Sequence, residues 1–304
     1  MRKNNVLQFS RLKEIYRKKR NAKIKKAGII FLIFILFVTG VSLLSANEKI
    51  NIQTVNISGN NVLTKDDILK VVDKELAGKY LFLFSKRNSF IYPGQKITNS
   101  LLESFNRISD VQIAKNDLTT ITISIKERTG IYLFCGQEGS EGEVENCYYI
   151  DSAGLIFSDA PYFSGNVYFK FYDNRNQKAG EGDSLPEAGR EDVALTDPIG
   201  LYFIDKGEFT RLVNFKKYLD QYIIKSNALI LKNNEEYEFV LNKMADENQF
   251  PKIFINKNSD FEKILNNLLS AIETEPFASE YKKNYNNLEY IDLRFENKVY
   301  YKFK

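Results

Sequence analysis

Ala27 to Ala46 contains no charged residue and reads Ala-Gly-Ile-Ile-Phe-Leu-Ile-Phe-Ile-Leu-Phe-Val-Thr-Gly-Val-Ser-Leu-Leu-Ser-Ala. At about 1.5 Å of rise per residue, about 20 helical residues span about 30 Å, the hydrocarbon thickness of a bilayer. Two other uses of such a run carry less weight. A buried core helix rarely extends this far without a polar face. A cleaved leader has a shorter apolar region and a small residue two places before the cut, where this chain has Leu44. The run is therefore read as an uncleaved membrane anchor over residues 27–46.

Its flanks set the orientation. Arg2, Lys3, Arg11, Lys13, Arg17, Lys18, Lys19, Arg20, Lys23, Lys25 and Lys26 precede the anchor against the single acid Glu14. The positive-inside rule keeps residues 1–26 in the cytoplasm and exports everything after the anchor. The overall charge of +4 is then a property of the tail. The tail carries about +10 and the exported part about −6, so the basic balance says little about nucleic acid, and no nucleic-acid partner is expected.

The exported part is long enough for two domains with separate cores. Residues 51–127 read as the first, in the order strand, helix, helix, strand, strand. Ile52, Val55 and Ile57, with Asn56 and Ser58 between, suggest a strand closed by Ser58-Gly59-Asn60-Asn61 as a turn. Thr64 is placed to cap a helix carrying Ile68, Val71, Val72 and Leu76. Leu81 to Pro93 is an apolar connector without a readable form. Thr98 is expected to cap a second helix through Leu101, Leu102, Phe105 and Ile108. Val111 and Ile113, then Ile121, Ile123 and Ile125, mark a hairpin about Asn116-Asp117.

Residues 128–304 are strand-rich. Expected strands are Tyr148–Ile150 and Leu155–Phe157 around Gly154, Val167–Phe171, Leu201–Ile204, Ala228–Leu231, Tyr237–Leu241 and Ile253–Ile255, with a closing hairpin of Tyr290–Phe295 and Val299–Phe303. Helices are expected over Gly207–Tyr222 and after a capping box of Ser259 and Glu262. Asn174 to Asp197, rich in Gly, Glu, Asp and Asn, reads as a loop. The fold class is thus α+β: one N-terminal transmembrane helix, a β-α-α-β-β domain, and a mainly antiparallel β-domain with helices.

Little in the sequence points to chemistry. The chain has no His, which removes the commonest general base and metal ligand. Asp66-Asp67 and Glu235-Glu236 are the kind of adjacent acids that sit at helix starts and turns, not paired catalytic carboxylates. No Gly-rich phosphate loop precedes a helix, and Gly139 to Gly142 is acidic. No catalytic, cofactor or metal residue is assigned, and the expectation is no cofactor and no small-molecule substrate. Cys135 and Cys147 either form a disulfide, worth about 3 kcal/mol for a loop of this size, or remain two free thiols.

Set in order, these segments resemble the FtsQ/DivIB family of bacterial division proteins, and the small domain is similar to a POTRA domain of the FtsQ type. The resemblance rests on Val55-Asn56-Ile57-Ser58-Gly59-Asn60, on Thr64-Lys65-Asp66-Asp67-Ile68, and on Ile121 to Arg128. In the outer domain it rests on Tyr149-Ile150-Asp151, Gly154-Leu155-Ile156-Phe157 and Tyr290-Ile291-Asp292-Leu293-Arg294-Phe295. The chain departs from the family pattern at Ile108-Ser109-Asp110-Val111, at Leu241-Asn242-Lys243, and in the loops after Cys135 and Asn174. The resemblance implies a non-enzymatic single-pass scaffold at the division septum. Its partners would be proteins of the FtsB/DivIC and FtsL type, held by strand addition, and it would help control septal peptidoglycan synthesis. The residues implied in partner binding are Tyr290, Asp292, Arg294, Phe295, Asn297 and Phe303. By strand alternation Ile291, Leu293 and Phe295 should face the core, and Tyr290, Asp292 and Arg294 should stay available. Two other readings are a POTRA-bearing assembly or secretion factor and an anchored extracytoplasmic enzyme or sensor.

Overall fold

A computed structural model describes residues 7–138, 146–175, 198–222, 225–242, 250–295 and 297–304. The chain divides into two compact units, Met1–Glu127 and Arg128–Lys304.

The first unit begins with helix α1 (Leu7–Ser45), which contains the apolar run and is long and apolar enough to cross a membrane. Strand β1 (Thr54–Ser58) follows a short helical turn at Glu48–Ile50. Helix α2 (Lys65–Leu76) starts at Thr64, whose hydroxyl accepts the Asp67 amide at 3.2 Å. A hairpin of β2 (Lys79–Tyr80) and β3 (Phe84–Ser85) gives form to the connector. Helix α3 (Gly94–Ser104) leads to β4 (Ile108–Lys115) and β5 (Thr120–Glu127). The sheet order is β1-β5-β4, with β1 parallel and β4 antiparallel to the central β5. Ile121, Ile123 and Ile125, every second residue of β5, are buried with Ile68, Val72, Ile97 and Leu101 of the two helices. This is a two-layer unit whose core follows from period 2 meeting period 3.6.

Two local devices hold the β1–α2 turn. Gly59 has φ +80°, and a Cβ there would lie 2.1 Å from the Ile125 carbonyl oxygen, so only glycine fits. The Glu127 carboxylate accepts the amides of Asn61, Val62 and Leu63 at 2.8, 3.0 and 3.0 Å. Burial alone would raise its pKa, but these bonds offset that and hold it below the usual carboxylate value.

The second helix differs from the sequence expectation. It starts at Gly94 after Pro93, so Thr98 lies inside it and caps nothing. The sequence reading missed Ile97, which is fully buried one turn before Leu101. Phe105 is already extended at the C-cap, and Ile108 belongs to β4.

The second unit contains β6 (Tyr132–Phe134), β7 (Tyr148–Ile150), β8 (Ile156–Asp159) and β9 (Lys170–Asp173). Helix α4 (Lys206–Tyr222) and strands β10 (Ser226–Leu231), β11 (Glu236–Leu241) and β12 (Lys252–Asn256) follow. Helices α5 (Phe261–Glu273) and α6 (Phe277–Asn284) precede β13 (Leu288–Asp292) and β14 (Tyr300–Phe303). All belong to one nine-stranded sheet in the order β14-β13-β12-β11-β10-β9-β6-β7-β8. It is mostly antiparallel. The pairs β9–β10 and β12–β13 are parallel because helical crossovers connect them, and β6–β9 is parallel as well. Alternate residues such as Phe171, Leu229, Phe239, Ile253 and Ile291 form the core with Phe209, Phe215, Leu219, Leu265 and Leu268 of the helices. At the β7–β8 turn Gly154 has φ +88°, and a Cβ would press on the Phe209 ring at 2.9 Å.

Several expected boundaries move. The strand expected at Val167–Phe171 is β9, displaced to Lys170–Asp173, and Val167 is exposed. Leu201–Ile204 is not a strand: Tyr202 makes one isolated bridge to Leu155, and Phe203 turns inward against Phe134 and Phe171. The cap of α5 is Asp260, which accepts the Glu262 and Lys263 amides, so the Ser259–Glu262 capping box is not formed. Helix α6 and strand β6 were not anticipated. The expectations for Gly139–Gly142, for Lys243 and for the Asn174–Asp197 loop beyond Arg175 fall outside the described residues.

Candidate partner-binding edge

A nine-stranded open sheet has two edges, and they are treated differently. At one end β8 is shielded by the segment before α4: the Ile156 amide donates to the Leu201 carbonyl at 3.0 Å and the Gly200 amide to the Ile156 carbonyl at 2.8 Å. At the other end, among the described residues, β14 pairs with β13 alone. Alternate backbone amides and carbonyls of β14 therefore face away from the sheet with no strand beyond them.

The two faces of β14 do different work. Tyr301 stacks on Phe277 of α6 with ring centroids 4.1 Å apart, and Phe303 lies 6.0 Å from the same ring. These contacts fix the strand to the helical layer. The opposite face presents exposed Tyr300 and Lys302. The Lys302 ammonium lies 2.7 Å from the Glu289 carboxylate, and this bond raises its pKa.

Beside the edge is a charged network centred on Arg294. Its Nε and Nη2 donate to the two Asp292 oxygens at 2.9 and 2.6 Å, its Nη1 to Glu236 at 2.6 Å, and its own amide to Asp292 at 3.1 Å. The guanidinium also lies 5.4 Å from the Phe254 ring, within cation–π range. The hydrogen bonds to Asp292 raise its pKa further above its ordinary value. Asn256 closes the cluster by donating to the Arg294 carbonyl at 3.1 Å.

These positions correct part of the sequence reading. Asp292 is buried and committed to Arg294, so it positions that residue and is not itself available. Strand β13 ends at Asp292, so alternation stops there. Phe295 consequently lies outside the core, half-exposed and edge-on to Tyr300 at 5.2 Å. Tyr290 is half-buried against Phe254 at 5.6 Å, and Phe303 is turned toward the helices. Asn297 is exposed in the β13–β14 connection, where the Lys298 amide donates to the Phe295 carbonyl at 2.9 Å. Of the six sequence candidates, Arg294, Phe295 and Asn297 lie toward solvent near the edge. Tyr300 and Lys302 were missed because they become neighbours of Phe295 and Tyr290 only through the hairpin register. Glu236 and Phe254 come from other strands, and no local pattern links them to Arg294.

Cys135 and Cys147 are joined in the structure. Among the described residues no group of three His, Cys, Asp or Glu side chains is placed to hold a metal ion.

Residues 50–128 match the family model described as POTRA domain, FtsQ-type. No curated protein matches the chain. The matched segment begins just before β1 and ends one residue after β5, so the first unit without its helix α1 is that domain.

Proposed function

We propose that this chain is a single-pass scaffold of the division complex, of the FtsQ/DivIB kind, a reading that its FtsQ-type POTRA domain supports. Helix α1 anchors it, with the basic tail in the cytoplasm and both folded units outside. The second unit captures partners of the FtsB/DivIC and FtsL type by adding a partner strand to β14. In this way the protein helps control septal peptidoglycan synthesis without breaking or making a bond itself.

The observation that carries this reading is the asymmetry of the large sheet. The β8 edge is occupied by the chain's own residues 200–201, whereas β14 has β13 on one side only among the described residues. An incoming strand gains main-chain hydrogen bonds along β14. Specificity then comes from what stands beside that edge: Tyr300, Lys302, Phe295 and the fixed guanidinium of Arg294.

Co-purification from membranes with a tagged DivIC- or FtsB-type protein tests it. Deleting Val299 to Lys304 is expected to abolish capture while the POTRA unit stays folded, because the two units have separate cores. Full retention of the partner by the truncated chain would refute strand addition at β14.

A further inference from the structure

The β2–β3 hairpin carries two features that make sense together only beside a lipid surface. The first is its backbone. Leu81 and Phe82 form the centre of a tight turn closed by the Leu83 amide on the Tyr80 carbonyl at 2.9 Å, and their φ values are +48° and +63°. A turn with both central residues left-handed is the type that favours Asn-Gly. Here it holds two bulky apolar side chains. The second feature is exposure: Leu81 is 82 % and Phe82 95 % exposed. Strained backbone kept in place to hold apolar side chains outward is a feature to be explained by function.

The hairpin is tied to the end of α1. Ser42 donates its hydroxyl to the Leu83 carbonyl at 2.7 Å. The Ser45 hydroxyl accepts the Ser85 amide at 3.3 Å, and the Asn88 side chain donates to the same hydroxyl at 3.3 Å. Ser42 lies inside the uncharged run, about one helical turn before its end. The turn is thus held level with the last apolar residues of the anchor, where Leu43 and Leu44 are also exposed. The flanking charges fit a headgroup zone. Lys79 is exposed at the start of β2, and Lys86 lies 6.0 Å from the Tyr80 ring. Basic and aromatic side chains just outside an apolar tip are the arrangement found at membrane interfaces.

We propose that the β2–β3 hairpin inserts Leu81 and Phe82 into the leaflet from which the chain emerges, beside α1, with Lys79 and Lys86 among anionic headgroups. The hairpin then acts as a second membrane contact that fixes the POTRA unit against the bilayer. This rests on the reading of α1 as a membrane span.

The chain contains no Trp, so one substitution gives a unique fluorophore. Phe82→Trp, in the full chain reconstituted in phosphatidylcholine–phosphatidylglycerol vesicles, is compared with Leu36→Trp in the middle of the apolar run of α1. Val62→Trp, in the β1–α2 turn, is the third position. Each is measured in vesicles whose phosphatidylcholine carries bromine either near the headgroup or near the chain end. The Phe82→Trp emission is expected to fall about twofold with shallow bromines and less with deep ones, as for an aromatic ring at the interface. Leu36→Trp should be quenched most by deep bromines and Val62→Trp by neither. If Leu36→Trp is quenched while Phe82→Trp behaves like Val62→Trp, the insertion is overturned and the anchor stands. If Leu36→Trp is not quenched, the anchor and the insertion both fail.

Discussion

Replacing Asp292 by Ala should cost more than neutralising Glu236, the other carboxylate on Arg294. Asp292 is 6 % exposed and accepts three hydrogen bonds from Arg294, from its amide, Nε and Nη2. A hydrogen bond to a charged group contributes about 1.5–3 kcal/mol when its loss leaves a buried donor unpaired. The Arg294 side chain is 32 % exposed, so water and Glu236 recover part of that loss. A net destabilisation of about 2 kcal/mol follows. For a unit of this size that corresponds to about 4–8 °C in Tm. Glu236→Gln removes the acceptor's charge from one bond between two partly exposed side chains and should cost about 0.5–1 kcal/mol. Thermal unfolding of the purified chain in detergent at pH 7, followed by circular dichroism, measures both. Adding Arg294→Ala to Asp292→Ala should change Tm little, because the shared interaction is already gone. A Tm shift below about 2 °C for Asp292→Ala, or a larger loss for Glu236→Gln, would refute the view that Asp292 holds Arg294 in place.

Three further outcomes are expected. Glu127→Gln should destabilise the POTRA unit by about 1–3 kcal/mol at pH 7, read by hydrogen exchange of the Asn61–Leu63 amides. Because the folded-state pKa of Glu127 is depressed, its contribution is full above the unfolded value of about 4.3 and is lost as pH falls through the lower folded value, so the wild-type advantage should vanish in strong acid. The pair Leu81→Asn and Phe82→Gly should raise the stability of the chain in detergent by about 1–3 kcal/mol, since an Asn-Gly turn carries φ > 0 at little cost; no gain, measured by thermal unfolding, would show that the turn is unstrained. Thiol labelling of the exported protein without reductant should modify neither Cys135 nor Cys147, and breaking their bond should cost about 3 kcal/mol; labelling of both would count against the bond.

The sequence was most readable where one periodicity dominates. The Ile121, Ile123, Ile125 alternation and the Thr64 cap placed β5 and α2 to within a residue, because the burial pattern and the hydrogen bond are local. Helix α3 was misplaced for a local reason as well: it starts behind Pro93 with no side-chain cap, so a cap-type residue such as Thr98 marks no boundary here and lies inside the helix. Helix α6 was missed because its eight residues bury only Phe277 and Ala278, too few for a period to show. At the edge, the residues on β13 were legible, but their environment was not. Phe295 leaves the core because the strand stops at Asp292, and the stop is set by a carboxylate bonding to a residue two places on. The Arg294–Glu236 pair joins positions far apart in the chain and depends on the β11–β12–β13 order, which no window of sequence contains. The open state of β14 is likewise a property of the whole sheet.

The most direct test places a photo-crosslinking amino acid at Tyr300 or Lys302 on β14, and at Asp159 on the opposite edge, in the full chain in living cells. Strand addition at β14 predicts covalent capture of a DivIC- or FtsB-type protein from positions 300 and 302 and none from 159. Capture from 159 alone, or from none of the three while the proteins still co-purify, would contradict it.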